Sequence, residues 1–155
     1  MEIDRNTIEG FAHRVRKNLA YMSKAASACE DVHIVTQLTC SLLGLIVFPY
    51  EHFKRNGFLD FHKRTMSELA AEGWPRWTFH LDNSHALDSH LFHLRNALSH
   101  RRVRFSSDGR VLADVVVTFS DRRPMEHADY WSASIDGVGL LEFVGRLSDL
   151  LDWSR

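Results

Sequence analysis

Several stretches of the chain repeat apolar residues at helical spacing. In the first, Ile8, Phe11, Val15, Leu19 and Met22 recur at steps of three and four while Arg14, Arg16, Lys17 and Lys24 fall largely outside the stripe. That pattern predicts an amphipathic helix over about residues 4–27, with Asp4 or Asn6 as its cap and Glu9 completing a capping-box pair with Asn6. From Val32 to Phe48 apolar groups fall on nearly every face, which predicts a helix at the centre of a bundle or across a subunit interface. Pro49 should stop it, and Gly44 in its middle marks the close approach of a neighbouring helix. Residues 51–64 are charged and aromatic around an Asn56-Gly57 turn signal, and Thr65–Ala71 reads as a short helix ended by Gly73 and Pro75. Trp74, Trp77 and Phe79 supply bulk to seal one end of the core. Behind the cap candidates Asp82, Asn83 and Ser84, the repeat Leu87, Leu91, Leu94, Leu98 predicts a helix over about 84–99.

The period then changes. Val103 and Phe105, the Asp108-Gly109 turn signal, and the β-branched run Val115-Val116-Val117-Thr118-Phe119 predict a β-hairpin over about 102–120. Ser120 to Tyr130 is polar, contains Pro124 and reads as loop, and from about Asp136 the residues Val138, Leu140, Leu141, Val144, Leu147, Leu150 and Leu151 mark a closing amphipathic helix. The expected fold is mainly all-α: a bundle of four to five helices with one β-hairpin, about 102–120, inserted before the last helix. At 155 residues the chain is read as one domain, 1–155.

Composition narrows the functional classes. With 45% apolar and 25% charged residues and only three prolines, extended disorder is excluded. The formal net charge of −1 gives no whole-molecule attraction for nucleic acid or membrane, so any such function needs a local patch. One exists: residues 95–110 hold five arginines against a single acid, Asp108. Cys29 and Cys40 form no CxxC pattern and read as reduced core thiols. The N-terminus lacks the order of a signal peptide, and the longest apolar run, 42–48, is too short to cross a bilayer. A cytoplasmic protein without membrane contact is expected.

The densest chemistry lies in SHALDSHLFHLRNALSHRRVRF, residues 84–105, with four histidines and four arginines. On an ideal helix Arg95 and His100 stand about 140° apart, so the two converge only where the helix ends near His100. The extended run beginning at Arg102 or Val103 gives it a reason to end there. An imidazole at such an end, beside guanidinium groups, exchanges protons near neutral pH. The segment RNALSH resembles the R-N-x3-H form of the R-x4-6-H motif that marks HEPN-domain ribonucleases, in a similar place near the end of a late bundle helix. The wider layout is similar to the pEK499_p136-type HEPN family: an amphipathic first helix, the run VTQLTCSLLGLIVFPYE, RNALSH, a hairpin and a closing helix.

The resemblance implies a HEPN-like bundle acting as a metal-independent endoribonuclease, with a composite active site in a homodimer and no cofactor. By position, His100 would be the general acid/base, Arg95 would bind the scissile phosphate, and Asn96 would orient either. Products would carry 2′,3′-cyclic phosphate and 5′-OH ends, in a toxin or defence setting with a protein antitoxin as partner. Arg101, Arg102 and Arg104 would grip the RNA backbone, with His93 as an auxiliary contact. Some HEPN toxins carry a tyrosine two residues after the histidine, where a nucleotidyltransferase antitoxin modifies it; here that residue is Arg102. Two other readings remain: a non-catalytic HEPN-fold module binding RNA or protein, and a metal site built from His85, His90, His93 and His100. Histidine spacing argues against the second, because 85 to 90 and 93 to 100 do not place three ligands on one helix face.

Overall fold

The computed structural model describes residues 5–28, 31–55, 63–81, 86–109 and 111–151, leaving aside the side chains of residues 5–9, 48, 49 and 53. The cap candidates Asp4, Asp82, Asn83 and Ser84, the Asn56-Gly57 turn, Cys29, His85 and Arg110 therefore lie outside the described residues, as do the side chains of Asn6 and Glu9. In chain order come α1 (Arg5–Ser27), α2 (Ile34–Leu45), a π-helical turn (Ile46–Tyr50), α3 (Glu51–Arg55), α4 (Met66–Ala71) and β1 (Thr78–Leu81). They are followed by α5 (Leu87–Ser99), β2 (Val103–Phe105), a 3-10 turn (Leu112–Asp114), β3 (Val116–Asp121), β4 (Trp131–Asp136) and α6 (Gly137–Leu151).

The all-α expectation is overturned. The strands form one four-stranded antiparallel sheet in the order β1-β4-β3-β2, so the fold is mixed α/β and the hairpin is only part of a full layer. The β2–β3 pair is present, with Val103 opposite Phe119 and Phe105 opposite Val117. Its connection, residues 106–115, is longer than a tight Asp-Gly turn and carries the 3-10 turn. Within it, Ser106 Oγ accepts from Val116 N at 2.8 Å and Ser107 Oγ from Gly109 N at 3.2 Å. β4 runs beside β3 from Val116–Asp136 to Asp121–Trp131, and β1 adds the far edge through Thr78–Ser134 and Phe79–Ala133.

Helices α1, α2 and α6 pack on one another through the apolar faces that the periodicity predicts. Ala12, Val15 and Leu19 of α1 are buried, and inside that contact Ser148 Oγ donates to Ala12 O at 2.9 Å. A Cβ on Gly44 would lie 2.6 Å from Phe11 Cζ, so the glycine in α2 marks the close approach of α1. Two readings of α2 are corrected. Thr36, Cys40 and Val47 face outward at steps of four and seven, so the helix is not apolar all round and Cys40 is not a core thiol. Pro49 does not stop the helical path: it falls in the π turn, and the chain continues as α3. A proline has no N–H to donate, and a wider turn already interrupts the i→i−4 ladder there.

The short α4 is closed at its start by a full capping box: Glu68 N donates to Thr65 Oγ1 at 3.2 Å, and Thr65 N to Glu68 Oε2 at 2.8 Å. Beyond it Trp74 and Trp77 are buried, their rings edge-on to Phe143 of α6 at 5.8 and 5.2 Å, as the expected seal of the core. Helix α5 lies against β3, its residues Leu87, Leu91, Leu94 and Ala97 buried.

Candidate active site

The site is set by how α5 ends. His100 is the C-cap, and Arg101 follows with φ +57°. Arg101 N donates to Leu98 O at 3.3 Å and Arg102 N to Ala97 O at 2.8 Å, the paired bonds of a Schellman turn. The helix is thus closed rather than frayed, and Ser120 N donates to Arg102 O at 3.0 Å as β2 begins. This leaves the His100 side chain exposed on the last residue of the turn, and among the described residues it has no hydrogen-bond or ion-pair partner.

Arg95, one turn earlier, is held from two sides. Its Nη1 is 3.4 Å from Glu51 Oε1 on α3, and its Nη2 donates to Asn96 Oδ1 at 3.4 Å. The guanidinium also lies over the exposed Phe92 ring, 5.5 Å from its centroid. A guanidinium carries five N–H donors, so three remain for an anion. A second ion pair, Lys54 to Asp88 at 3.1 Å, joins α3 to the start of α5 and fixes Glu51 in register with Arg95.

Asn96 points the other way, into a buried network. Its Nδ2 donates to Asp121 Oδ2 at 2.9 Å, where His93 Nδ1 (2.9 Å) and the Tyr130 hydroxyl (3.1 Å) also arrive. Oδ1 of the same carboxylate accepts from Arg122 N at 2.8 Å and lies 3.5 Å from Arg102 Nη1. Asp121 is 1% exposed. Burial raises its pKa, but the hydrogen bonds from His93, Asn96, the Arg122 amide and Tyr130 outweigh that effect and hold it below the ordinary carboxylate value. His93 is stacked on Trp131, with ring centroids 4.9 Å apart and planes at 18°.

Over this geometry, the HEPN pEK499 p136 family model matches residues 1–154. The chain belongs to that family. No curated protein and no solved structure matches it.

In this HEPN protein the residues singled out from the sequence divide into three groups. Arg95 and Asn96 are in contact, and His100 closes the same helix. Arg101 and Arg104 are exposed, whereas Arg102 turns inward, donating to Arg122 O at 3.2 Å as well as approaching Asp121. His93 is 5% exposed and bonded to Asp121, so it is turned into the protein rather than toward the surface.

The metal reading of the HEPN histidines finds no support among the described residues, where no group of three His, Cys, Asp or Glu is placed to hold an ion. His90 sits in a box formed by Trp77, Phe79, Trp131 and Phe143, and neither ring nitrogen has a partner. Burial first, and then nearby His93, pushes its pKa down to about 3, so it is a neutral core residue. No described helix is long and apolar enough to cross a membrane.

Glu51, Asp121 and Tyr130 are the members of the site that sequence reasoning misses. Asp121 did leave a signal. Along β3 the buried positions are Val117, Phe119 and Asp121, so the period of two that predicts the strand also places a carboxylate on its apolar face.

Proposed function

We propose that this HEPN protein is a metal-independent endoribonuclease that cleaves RNA in a toxin or defence role. The 2′-hydroxyl attacks the adjacent phosphorus, the bond to the 5′-oxygen breaks, and the products are a 2′,3′-cyclic phosphate and a 5′-OH. His100 is the acid/base group. In a homodimer with a composite site, one imidazole takes the 2′-hydroxyl proton and the other protonates the leaving oxygen. Arg95 binds the scissile phosphate through the donors that Glu51 and Asn96 leave free, stabilising charge on its oxygens without a metal.

The observation that carries this reading is the exposed imidazole of His100, without a partner among the described residues, on the turn that follows a positioned guanidinium. The backbone of Arg101 adds support. A left-handed conformation costs a non-glycine residue about 1–2 kcal/mol, yet an exposed arginine is kept there beside His100. Arg101 and Arg104 are the backbone-gripping residues, and a protein antitoxin is the partner that would cover them. Arg102 supplies no hydroxyl for nucleotidyl transfer, so control of that kind is not part of this reading.

Purified protein incubated with RNA in excess EDTA tests the proposal. Cleavage should persist, its products should carry cyclic phosphate ends, and light scattering should show a dimer at micromolar concentration. His100→Ala should abolish cleavage while changing stability by less than about 0.5 kcal/mol, as expected at an exposed position. A natively folded dimer that cleaves no RNA under any condition would sink the proposal.

A further inference from the structure

We infer that Asp121 is a positioning residue of this site: its carboxylate fixes the amide of Asn96 and, through it, the guanidinium of Arg95. The inference rests on the ribonuclease reading above and adds a residue from the sheet, 25 positions away from Asn96 in sequence.

The argument begins with the asymmetry of an amide. Asn96 has a donating end and an accepting end, and a carboxylate only accepts. With Nδ2 bonded to Asp121 Oδ2 at 2.9 Å, the other end, Oδ1, is turned toward Arg95 Nη2 at 3.4 Å. The reverse orientation would set an amide oxygen against a carboxylate oxygen and an NH2 group against a guanidinium. Asp121 therefore selects the one orientation in which Asn96 can hold Arg95.

The carboxylate is itself immobilised. Backbone Arg122 N holds Oδ1 from within β3's own end, and His93 and Tyr130 reach Oδ2 from α5 and from the segment entering β4. A group bonded from three elements and almost fully enclosed has one rotamer, and whatever it holds inherits that precision. Burial of the hub also excludes the water that would compete for the Asn96 amide. Arg102 Nη1 lies 3.5 Å from the same carboxylate, so the turn carrying His100 and the helix carrying Arg95 are referenced to one group.

A double-mutant cycle read in cleavage assays separates this role from a purely structural one. Asp121→Asn should lower kcat about 10- to 100-fold, with KM for RNA changed by less than about threefold. In an Asn96→Ala background the same substitution should cost less than about threefold. Equal losses in both backgrounds, or no loss in the wild-type background, would overturn the inference. A second measurement uses the unmodified protein and needs no RNA: the Asn96 side-chain amide protons, assigned by their absence in Asn96→Ala. One should resonate downfield and exchange slowly in NMR. A signal at the shift and exchange rate of free asparagine would equally overturn the inference. If wild-type protein cleaves nothing, the ribonuclease reading fails, while the amide signal still reports on the hub.

Discussion

One buried side chain makes the stability of the fold depend on acid. His90 is neutral in the native state because charging it would strand an imidazolium among four aromatic rings without a hydrogen bond. Its folded pKa, about 3, lies below the unfolded value of 6.5. Between those two values the unfolded chain binds a proton that the native state refuses, so stability falls as pH drops from 6.5 toward 3. The slope from this group reaches about 1.4 kcal/mol per pH unit. Asp121 adds a loss in the same direction but later, below its unfolded value of 3.8, because its folded pKa is depressed. His90→Leu removes two unsatisfied nitrogens from an apolar box, and thermal melts from pH 7 to 4 should show a flatter profile than the wild type. An unchanged profile would mean that His90 protonates without unfolding.

At the scale of elements, the Schellman turn closing α5 is strained at one place, Arg101. Arg101→Gly removes the left-handed penalty and loses part of that gain to glycine's freedom in the unfolded chain. The net should be about 1 kcal/mol of added stability, read as a rise in Tm of about 2–4 °C, together with weaker RNA binding. The helices were legible because their signal is local: a stripe repeats along one segment, and α1, α5 and α6 appear close to where periodicity puts them. The strands β1 and β4 were not. Trp131, Ala133 and Ile135 do alternate, but Ser132 and Ser134 are buried too, so the polar half of the expected pattern faces inward and no solvent face shows. What makes Thr78–Leu81 a strand is pairing with residues more than 50 positions away, a contact that composition does not encode. The site divides in the same way. Arg95, Asn96 and His100 share one helix and one motif, whereas Glu51, Asp121 and Tyr130 reach it only once α3 and the sheet are in place.

For the whole molecule, a near-zero net charge makes the distribution of arginines more informative than their number. Exposed Arg104 and inward-turned Arg102 stand two residues apart and predict different losses. Arg104→Ala should weaken binding across single-stranded RNAs and lower the slope of log K against log salt by about 0.7. Arg102→Ala should leave that slope nearly unchanged and lower thermal stability instead, because it withdraws a cation from the buried Asp121. Binding measured between 50 and 200 mM salt, beside melts of both variants, checks the pair. Equal slopes lost by both would place Arg102 on the RNA.

The π turn at Ile46–Tyr50 has a consequence for chain length. Such a turn is one residue longer than the α turn it replaces, so everything after it is rotated by about 100° relative to an uninterrupted helix. Tyr50 stays in the core, and Glu51 comes round to face Arg95. Wound as ordinary α-helix, the same five residues would leave α2 intact and carry Glu51 about 100° to the wrong side, whereas deleting one of them and letting the turn relax would bring it back. The Arg95 site is therefore specified by winding as well as by identities: the wider turn at 46–50 absorbs one residue and so keeps Glu51 facing Arg95.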